Sequence, residues 1–370
     1  MGKSFDSKII FRRNEEMKKI IHIISDIGTG GGQTHLIDVL KNMDRQKFKI
    51  FVICPSEGHY INEVKRYADE YYFINFNQNF LKIILQLYKF LKITKPDIVH
   101  NHLLRACYLA SPIARLFTRK VFNNLHGSVT DDITANKIKI AAYLIYNRIL
   151  NRLGCQYIAV SNFNKEQLVE QGIKKDKITV IYNGINGFLS KREKSKKNIF
   201  FNAVCIARLA PQKGIFTLLK IAKKLEEIVL FQIVGDGELR KEIDDFIINN
   251  DINNVELKGF HKDIEPFLQC ADFFILASNW ESMGIVIAEA MACSLPVIAS
   301  NVGGIPELVI DGKGGFLCEP NDIDSFVEKI KSLEDNPHIR EEFGAFNRKR
   351  FEDNFTVEQM MRKLEKLYEV

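Results

Sequence analysis

Phe200-Phe-Asn-Ala-Val-Cys-Ile206 is an apolar run of strand length, and Ala207-Arg-Leu-Ala-Pro-Gln-Lys-Gly214 leads from it into a helical segment, Phe216–Glu226. This strand, loop and helix decide the fold, because they restart a pattern that the polar, basic stretch Ser190–Asn198 has just interrupted. Upstream, the runs Lys19–Ser25, Lys49–Cys54, Asp97–His100, Tyr157–Val160 and Ile178–Ile181 read as buried strands. They alternate with helix-like segments such as His35–Met43 and Phe80–Thr94. Downstream, strands are expected at Val229–Val234, Val255–Lys258, Phe273–Leu276, Pro296–Ala299 and Gly315–Leu317, with helices at Leu239–Ile248 and Val357–Leu367. Buried strands alternating with helices predict parallel sheets covered on both faces. The expected architecture is α/β, two doubly wound parallel-sheet domains facing a central cleft. Its expected parts are a disordered extension (1–17), an N-terminal domain (18–189), a linker (190–198) and a C-terminal domain (199–353). A last helix (354–370) is expected to pack back toward the first domain.

A chain of 370 residues is too long for one ordinary core. At 46% hydrophobic and 26% charged residues, it reads as soluble and globular rather than disordered. Its seven cysteines form no C-x-x-C pair, and several sit inside apolar runs. Buried free thiols in a reducing cytosol are the expected reading. Met1–Lys19 is polar and mixed in charge, unlike a signal peptide or a transmembrane segment. The net charge of +6 hides an asymmetry: residues 1–190 hold 28 Lys and Arg against 16 Asp and Glu, and the remainder 24 against 30. A basic first half and an acidic second half bear on partners rather than on fold.

Candidate chemistry collects at strand ends. After the first strand comes Gly28-Thr-Gly-Gly-Gly32, which reads equally as a phosphate-approaching turn or a plain tight turn. It is not a dinucleotide fingerprint, because G-x-G-x-x-G would need glycine at Gln33, and no acid for a ribose follows the next strand. Arg208 and Lys213 leave the end of a strand, where doubly wound sheets bind ligands; the alternative is two solvated surface cations. Val234-Gly-Asp-Gly-Glu238 places Gly235 and Gly237 at another strand end, where nucleotide proximity and simple loop geometry explain them equally well.

Ala277-Ser-Asn-Trp-Glu-Ser-Met-Gly-Ile-Val-Ile-Ala-Glu-Ala-Met291 is the richest segment. A buried strand stops, a short loop carries Glu281, and a helix starts near Gly284. The N–H groups of Met283, Gly284 and Ile285 are then free for a diphosphate, helped by the helix dipole. Glu289 lies among apolar neighbours and needs partners. Sugar or ribose hydroxyls suit it, and a local backbone network is the alternative. Ser300-Asn-Val-Gly-Gly-Ile-Pro-Glu307 supplies one more glycine turn.

Together these segments resemble the retaining family-4 glycosyltransferases of the GT-B fold, with its two Rossmann-like domains, over essentially Met17 to the C-terminus. Glu281 and Glu289 match the family's E-x7-E pair, and Arg208 and Lys213 its R-L-x-x-x-K-G element. Gly31 and Gly32 match the amino-terminal glycine loop, and His126 in Leu125-His-Gly127 matches the histidine facing the donor sugar. Val180-Ile-Tyr-Asn-Gly-Ile185 and Ala159-Val-Ser161 follow the pattern too. The resemblance implies that Arg208 and Lys213 hold the donor diphosphate, Glu281 the sugar hydroxyls and Glu289 the ribose. It departs from the family where an acidic residue often follows the glycine loop, since Gln33-Thr34-His35 stands there. The implied reaction is sugar transfer from a nucleoside-diphosphate sugar, UDP favoured, to a hydroxyl of a glycan or lipid-linked acceptor in envelope polysaccharide synthesis. Configuration is retained by same-face attack assisted by the leaving phosphate.

No cofactor or metal is expected, Arg208, Lys213 and helix N–H groups replacing a metal ion at the diphosphate. His100 and His102 in Val99-His-Asn-His102 could suggest a metal, but no further Cys, His or carboxylate cluster completes a ligand set, and they read as structural. Asp322-Ile-Asp324 reads as charge at a helix N-terminus, not as a metal-binding D-x-D. An NAD(P)-dependent oxidoreductase shares the fold class, but the broken glycine fingerprint opposes it. A non-catalytic nucleotide-sugar-binding protein would keep the same binding residues. No nucleic-acid partner is expected. In Lys137–Leu153, Lys137, Arg148 and Arg152 fall on one helical face, with Tyr143, Ile149 and Leu150 elsewhere around it. A basic amphipathic helix on a basic domain suits the anionic inner face of the cytoplasmic membrane, and plain packing on the sheet is the alternative.

Overall fold

A computed structural model of the chain describes residues 17–125, 137–187 and 200–369. Its first sheet holds β1 (Lys18–Ile24), β2 (Phe48–Cys54), β3 (Glu70–Phe73), β4 (Ile98–His102), β5 (Lys120–Asn124), β6 (Gln156–Ala159) and β7 (Ile178–Val180). The strands are parallel in the order β3-β2-β1-β4-β5-β6-β7. Around them pack α1 (Gly31–Asn42), α2 (Ile61–Tyr67), α3 (Phe80–Thr94), α4 (Leu104–Ala114), α5 (Lys137–Arg152) and α6 (Asn162–Glu170). The second sheet holds β8 (Phe201–Ile206), β9 (Val229–Val234), β10 (Val255–Gly259), β11 (Phe273–Leu276), β12 (Val297–Ser300) and β13 (Gly315–Cys318), parallel in the order β10-β9-β8-β11-β12-β13. With it go α7 (Ile215–Lys223), α8 (Arg240–Asn249), α9 (Glu265–Cys270), α10 (Ile285–Ala292), α11 (Ile305–Leu308), α12 (Ile323–Asp335) and α13 (Pro337–Asn354). A further helix, α14 (Val357–Glu369), follows.

Each sheet grows outward from its first strand, then continues on that strand's other side. The direction therefore reverses between β1 and β4 and between β8 and β11. Crevices at the carboxyl ends of such strand pairs are where open α/β sheets bind ligands.

Strand periodicity sorts the N-terminal core into two layers. In β1, Ile21 and Ile23 join Leu87 and Leu91 of α3 and Leu150 of α5, while Ile20 and Ile24 join Leu36 and Leu40 of α1 on the opposite face. Helix α14 belongs to that second layer. Its Val357, Met360, Leu364 and Tyr368 recur at helical spacing and are buried there, although the chain reaches them only after the whole second domain. A bridge fixes the crossing, with Val357 N–H donating to the Ile185 carbonyl at 3.0 Å.

Two expectations change here. Helix α1 begins at Gly31, so Gly31 and Gly32 form its first turn rather than a loop ahead of a helix at His35. In α5, Leu150 is buried and Tyr143 packs against the core, so the outward face is Ile145, Arg148, Ile149 and Arg152. The Lys137 side chain and the 190–198 linker lie outside the described residues. The cysteines are free thiols, all but Cys270 buried. Among the described residues, no helix is long and apolar enough to cross a membrane.

Candidate active site at the second strand reversal

The loops leaving β8 and β11 are tied together backbone to backbone. Gly214 sits in the left-handed region at φ 61°, and a Cβ there would lie 1.9 Å from the Ala277 carbonyl oxygen. Only glycine lets the Arg208–Lys213 loop seat against the end of β11. Asn279 then donates from its N–H to the Gln212 carbonyl at 2.8 Å and from its side chain to the Pro211 carbonyl at 3.1 Å. Gly303, at φ 57°, plays the matching part after β12: a Cβ would meet the Glu281 carbonyl oxygen at 1.8 Å, and the neighbouring Gly304 N–H donates to that oxygen at 3.1 Å. Three loops therefore fix one carboxylate.

That carboxylate, Glu281, is 6% exposed. Its Oε1 forms an ion pair with Lys213 Nζ and accepts from Ser278 Oγ at 3.1 Å. Two residues matched to different tasks are thus bonded to each other, one charge neutralising the other. An incoming diphosphate would share Lys213 with Glu281 rather than meet a free ammonium. Arg208 is exposed on the same loop. Gly235 and Gly237 lie against the backbone of Ala207 and Leu209, and the Leu209 N–H donates to the Asp236 carbonyl at 3.0 Å. Their place is behind the Arg208 loop, where they brace it.

Met283 is buried just before Gly284, the N-cap of α10, and Ile285 is the first helical residue. No side chain caps this helix, so its first amides are donors without a side-chain acceptor. Glu289 stands one turn further along. Burial, and then the carboxylate of Asp38 from α1 in the other domain, push Glu289 up to about 8. Burial likewise pushes Asp38 up to about 7, against the opposing pull of Lys41. Asp38 Oδ1 also accepts from the Asn186 side chain at 3.2 Å. Around neutral pH the pair retains proton, and its hydroxyl–carboxylate character suits hydrogen bonding to sugar hydroxyls.

Glu307 joins the domains. Its carboxylate accepts from the N–H groups of Asn162 and Phe163 at 2.8 and 2.7 Å, from the Asn162 side chain at 2.8 Å and from the Tyr182 hydroxyl at 2.8 Å. A C-terminal-domain acid thus supports the N-terminus of α6. Beside it, Ser161 Oγ donates to the Ser282 carbonyl at 2.6 Å. Sequence reading found Ser161 and Glu307 in separate motifs but not their meeting.

On the facing domain, Gly31 and Gly32 open α1, and Gln33 donates from its amide to Asp26 Oδ2 at 2.5 Å. The carboxylate beside this loop therefore comes from Asp26. His126 lies outside the described residues. The expectation that His100 and His102 lack a third ligand is corrected by the sheet, which puts His22 of β1 opposite His100. Nitrogen atoms of His22, His100 and His102 lie within 4.8 Å of one another in full burial, the dimensions of a metal-binding set. They are also hydrogen-bonded: His22 Nδ1 to His102 Nε2 at 3.0 Å, and His100 Nδ1 to the Tyr368 hydroxyl of α14 at 2.6 Å. Burial, then the charge of Arg45, hold His22 down at about 3, which keeps it neutral. Asp322 caps α12 by accepting from the Ser325 N–H at 3.1 Å, and Asp324 pairs with Lys224.

Comparison with known proteins agrees with this geometry. Residues 29–186 match the model described as Glycosyltransferase Family 4, and residues 188–350 match Glycosyl transferases group 1. An uncharacterized glycosyltransferase of Methanocaldococcus jannaschii is 32% identical over 283 residues, 74% of this chain and 75% of that one. A UDP-Gal:alpha-D-GlcNAc-diphosphoundecaprenol alpha-1,3-galactosyltransferase of Escherichia coli is 28% identical over 95% of this chain and 96% of its own. The crystal structure of Anabaena HepE in complex with UDP superposes with a TM-score of 0.81 at 21% identity, covering 95% of this chain and all of that one. Two parallel-sheet domains in the GT-B arrangement, with tied cationic and acidic loops at the second strand reversal, place the chain in the group 1, family 4 glycosyltransferases.

Proposed function

We propose that this glycosyltransferase moves a sugar from a UDP-sugar to a hydroxyl of a glycan or lipid-linked acceptor in envelope polysaccharide synthesis, with retained configuration and without a metal ion. The observation that carries this reading is the Arg208–Lys213–Glu281 group set against the uncapped start of α10. Cleavage of the donor leaves negative charge on the diphosphate. Arg208, Lys213 and the α10 amides supply fixed positive ends there, and Glu281 meets the transferred sugar. Glu289 takes the ribose hydroxyls, with Asp38 beside it. The UDP-galactose donor and lipid-diphosphate acceptor named for the Escherichia coli relative support the same substrate classes here. So does a capsular polysaccharide glycosyltransferase of Staphylococcus aureus, 26% identical over 96% of this chain. The acidic D-x-D residues are engaged structurally, as a helix cap and in an ion pair. The acceptor is drawn from the cytoplasmic face of the membrane, where exposed Ile145, Arg148, Ile149 and Arg152 present a mixed apolar and cationic surface.

Arg208→Ala tests it. Turnover with UDP-sugar is expected to fall by about 2–4 kcal/mol of transition-state stabilisation, while chelator leaves the wild type active. Complete loss of activity in EDTA with recovery in Mn²⁺ would refute the metal-free mechanism. Proton NMR of the product's anomeric signal reports retention or inversion.

A further inference from the structure

At the carboxyl edge of the first sheet, a pocket of about 420 Å³ opens between the starts of α3 and α4 and the side of α5. That volume lies within the range of small-molecule sites. Phe80, Ile83, Leu104, Leu109 and Tyr143 form apolar walls, and Arg105 stands among them. The guanidinium is exposed and donates to Asn77 Oδ1 at 2.9 Å, which orients its planar fork. Among the described residues it pairs with no carboxylate.

The pocket continues onto an uncovered surface. Phe80 is 59% exposed, and Leu81 and Leu85 on α3 are exposed to a similar degree. Solvent-facing apolar side chains gathered in this way mark an interaction site rather than ordinary surface. Lys82, Lys89 and Lys92 interleave with them, and neither α3 nor α4 contains an acidic residue. A ligand matching both features has a long apolar part and an anionic head. One pocket with one guanidinium takes one chain and one phosphate-type group.

We propose that this pocket holds the lipid part of the acceptor, a single-chain polyisoprenyl phosphate or diphosphate, with its head on Arg105 and its chain along Phe80, Ile83 and Leu109. The inference rests on the reading of this chain as a transferase with its acceptor on the N-terminal domain. Since Leu104 and Phe80 begin helices that leave the carboxyl ends of β4 and β3, a head group here lies on the sheet edge that also carries the Gly31 turn.

Calorimetry on the full chain tests it with geranylgeranyl diphosphate below its micelle concentration. Saturable binding is expected, weakened at least about tenfold by Arg105→Ala and by Leu109→Glu, with UDP affinity unchanged in both. With the donor site filled by saturating UDP, inorganic pyrophosphate and geranylgeraniol should each bind at least about tenfold more weakly than the intact probe, since each lacks one half of the recognition. Pyrophosphate binding as tightly as the probe would reduce the site to an anion site, and geranylgeraniol binding as tightly would reduce it to a greasy cleft; either overturns the proposal. So does an unchanged affinity in Arg105→Ala. UDP binding without probe binding sinks only this pocket, whereas probe binding without UDP binding sinks the donor-site reading instead.

Discussion

At the crevice between β8 and β11, the central charged side chains already hold each other: Lys213 holds Glu281, Ser278 holds the same carboxylate, and three loops are bonded through their backbones. The corresponding region of the first domain is different. Two of its inner polar pairs join the first helix to the strand ends, Gln33 on Asp26 and Asn124 on His35, while its outer rim leaves Phe80, Leu81 and Leu85 bare beside Arg105. One topology thus supports a tightly bonded, charge-balanced crevice and an open apolar rim. A leaving diphosphate needs fixed dipoles that do not reorganise during reaction, and the first arrangement suits that. A mobile acceptor is better served by a surface that tolerates sliding, and the second suits that.

The sharpest test of the tightly bonded crevice is the ion pair within it. Lys213→Met and Glu281→Gln should each lower kcat/KM by about 10²–10³-fold, the scale for removing a preorganised charge. The double variant should cost little more than either single one, because each substitution already breaks the same unit. Additive losses would show that the two side chains act separately, and the crevice would be less of a unit than its bonds suggest.

Glu307 tests whether the two regions are coupled. Glu307→Ala removes acceptors from two α6 amides and from Tyr182. Hydrogen bonds to a charged group are worth about 1.5–3 kcal/mol. Differential scanning calorimetry should then resolve two transitions, where coupled domains give one. A single transition at the wild-type position would mean that the domains are held together elsewhere.

The buried titratable groups respond to pH in opposite senses. His22 refuses a proton until about pH 3, whereas in the unfolded chain it accepts one near 6.5. Stability of the first domain should therefore fall by about 1.4 kcal/mol per pH unit as pH drops through that window. Glu289 keeps its proton up to about pH 8, whereas the unfolded chain releases it near 4.5. Its contribution is present below 4.5 and is lost as pH rises toward 8. Urea midpoints across this range should lose their acid slope in His22→Asn, whereas Glu289→Gln should shrink their alkaline slope and leave the share that belongs to Asp38. In Asp38→Asn the alkaline slope that remains is that of Glu289 alone and should end at lower pH, because the neighbouring negative charge is gone; an unshifted end point would remove the cross-domain interaction from the account.

The smallest effect belongs to Lys262 and Glu63, an exposed pair at 2.9 Å that also spans the domains. Lys262→Ala should change stability by about 0–1 kcal/mol, and less in high salt. A larger loss would make the rim contact a structural hinge.

Much of this was legible in the sequence, and the reason is local. β8 and β11 are apolar runs that end in distinctive loops, so Arg208, Lys213, Glu281 and Glu289 could be picked out one by one. β3 escaped notice and β5 was given no bounds because their composition misleads: Glu70–Phe73 is a largely exposed edge strand, and β5 ends in buried Asn123 and Asn124, which bond within the sheet or to α4 and α1. What no local pattern gives is pairing at a distance. The meetings of His22 with His102, Lys213 with Glu281, Glu307 with α6 and Asp38 with Glu289 follow from sheet order and domain approach. α5 shows the limit of helical spacing: it showed that faces exist, but not which one the sheet would cover.

The placement of α14 sets an order of events during synthesis. On the ribosome, every strand of the first sheet emerges before the second domain, yet the layer over Ile20, Val52 and His100 lacks Met360, Leu364 and Tyr368 until the second domain has been made. At synthesis rates of about 5–20 residues per second, the interval is roughly 10–35 s. For that time one apolar face of the nascent domain stands open, a surface that holding chaperones would recognise and that pairs wrongly if crowded. The first domain to be translated is therefore the last to be finished.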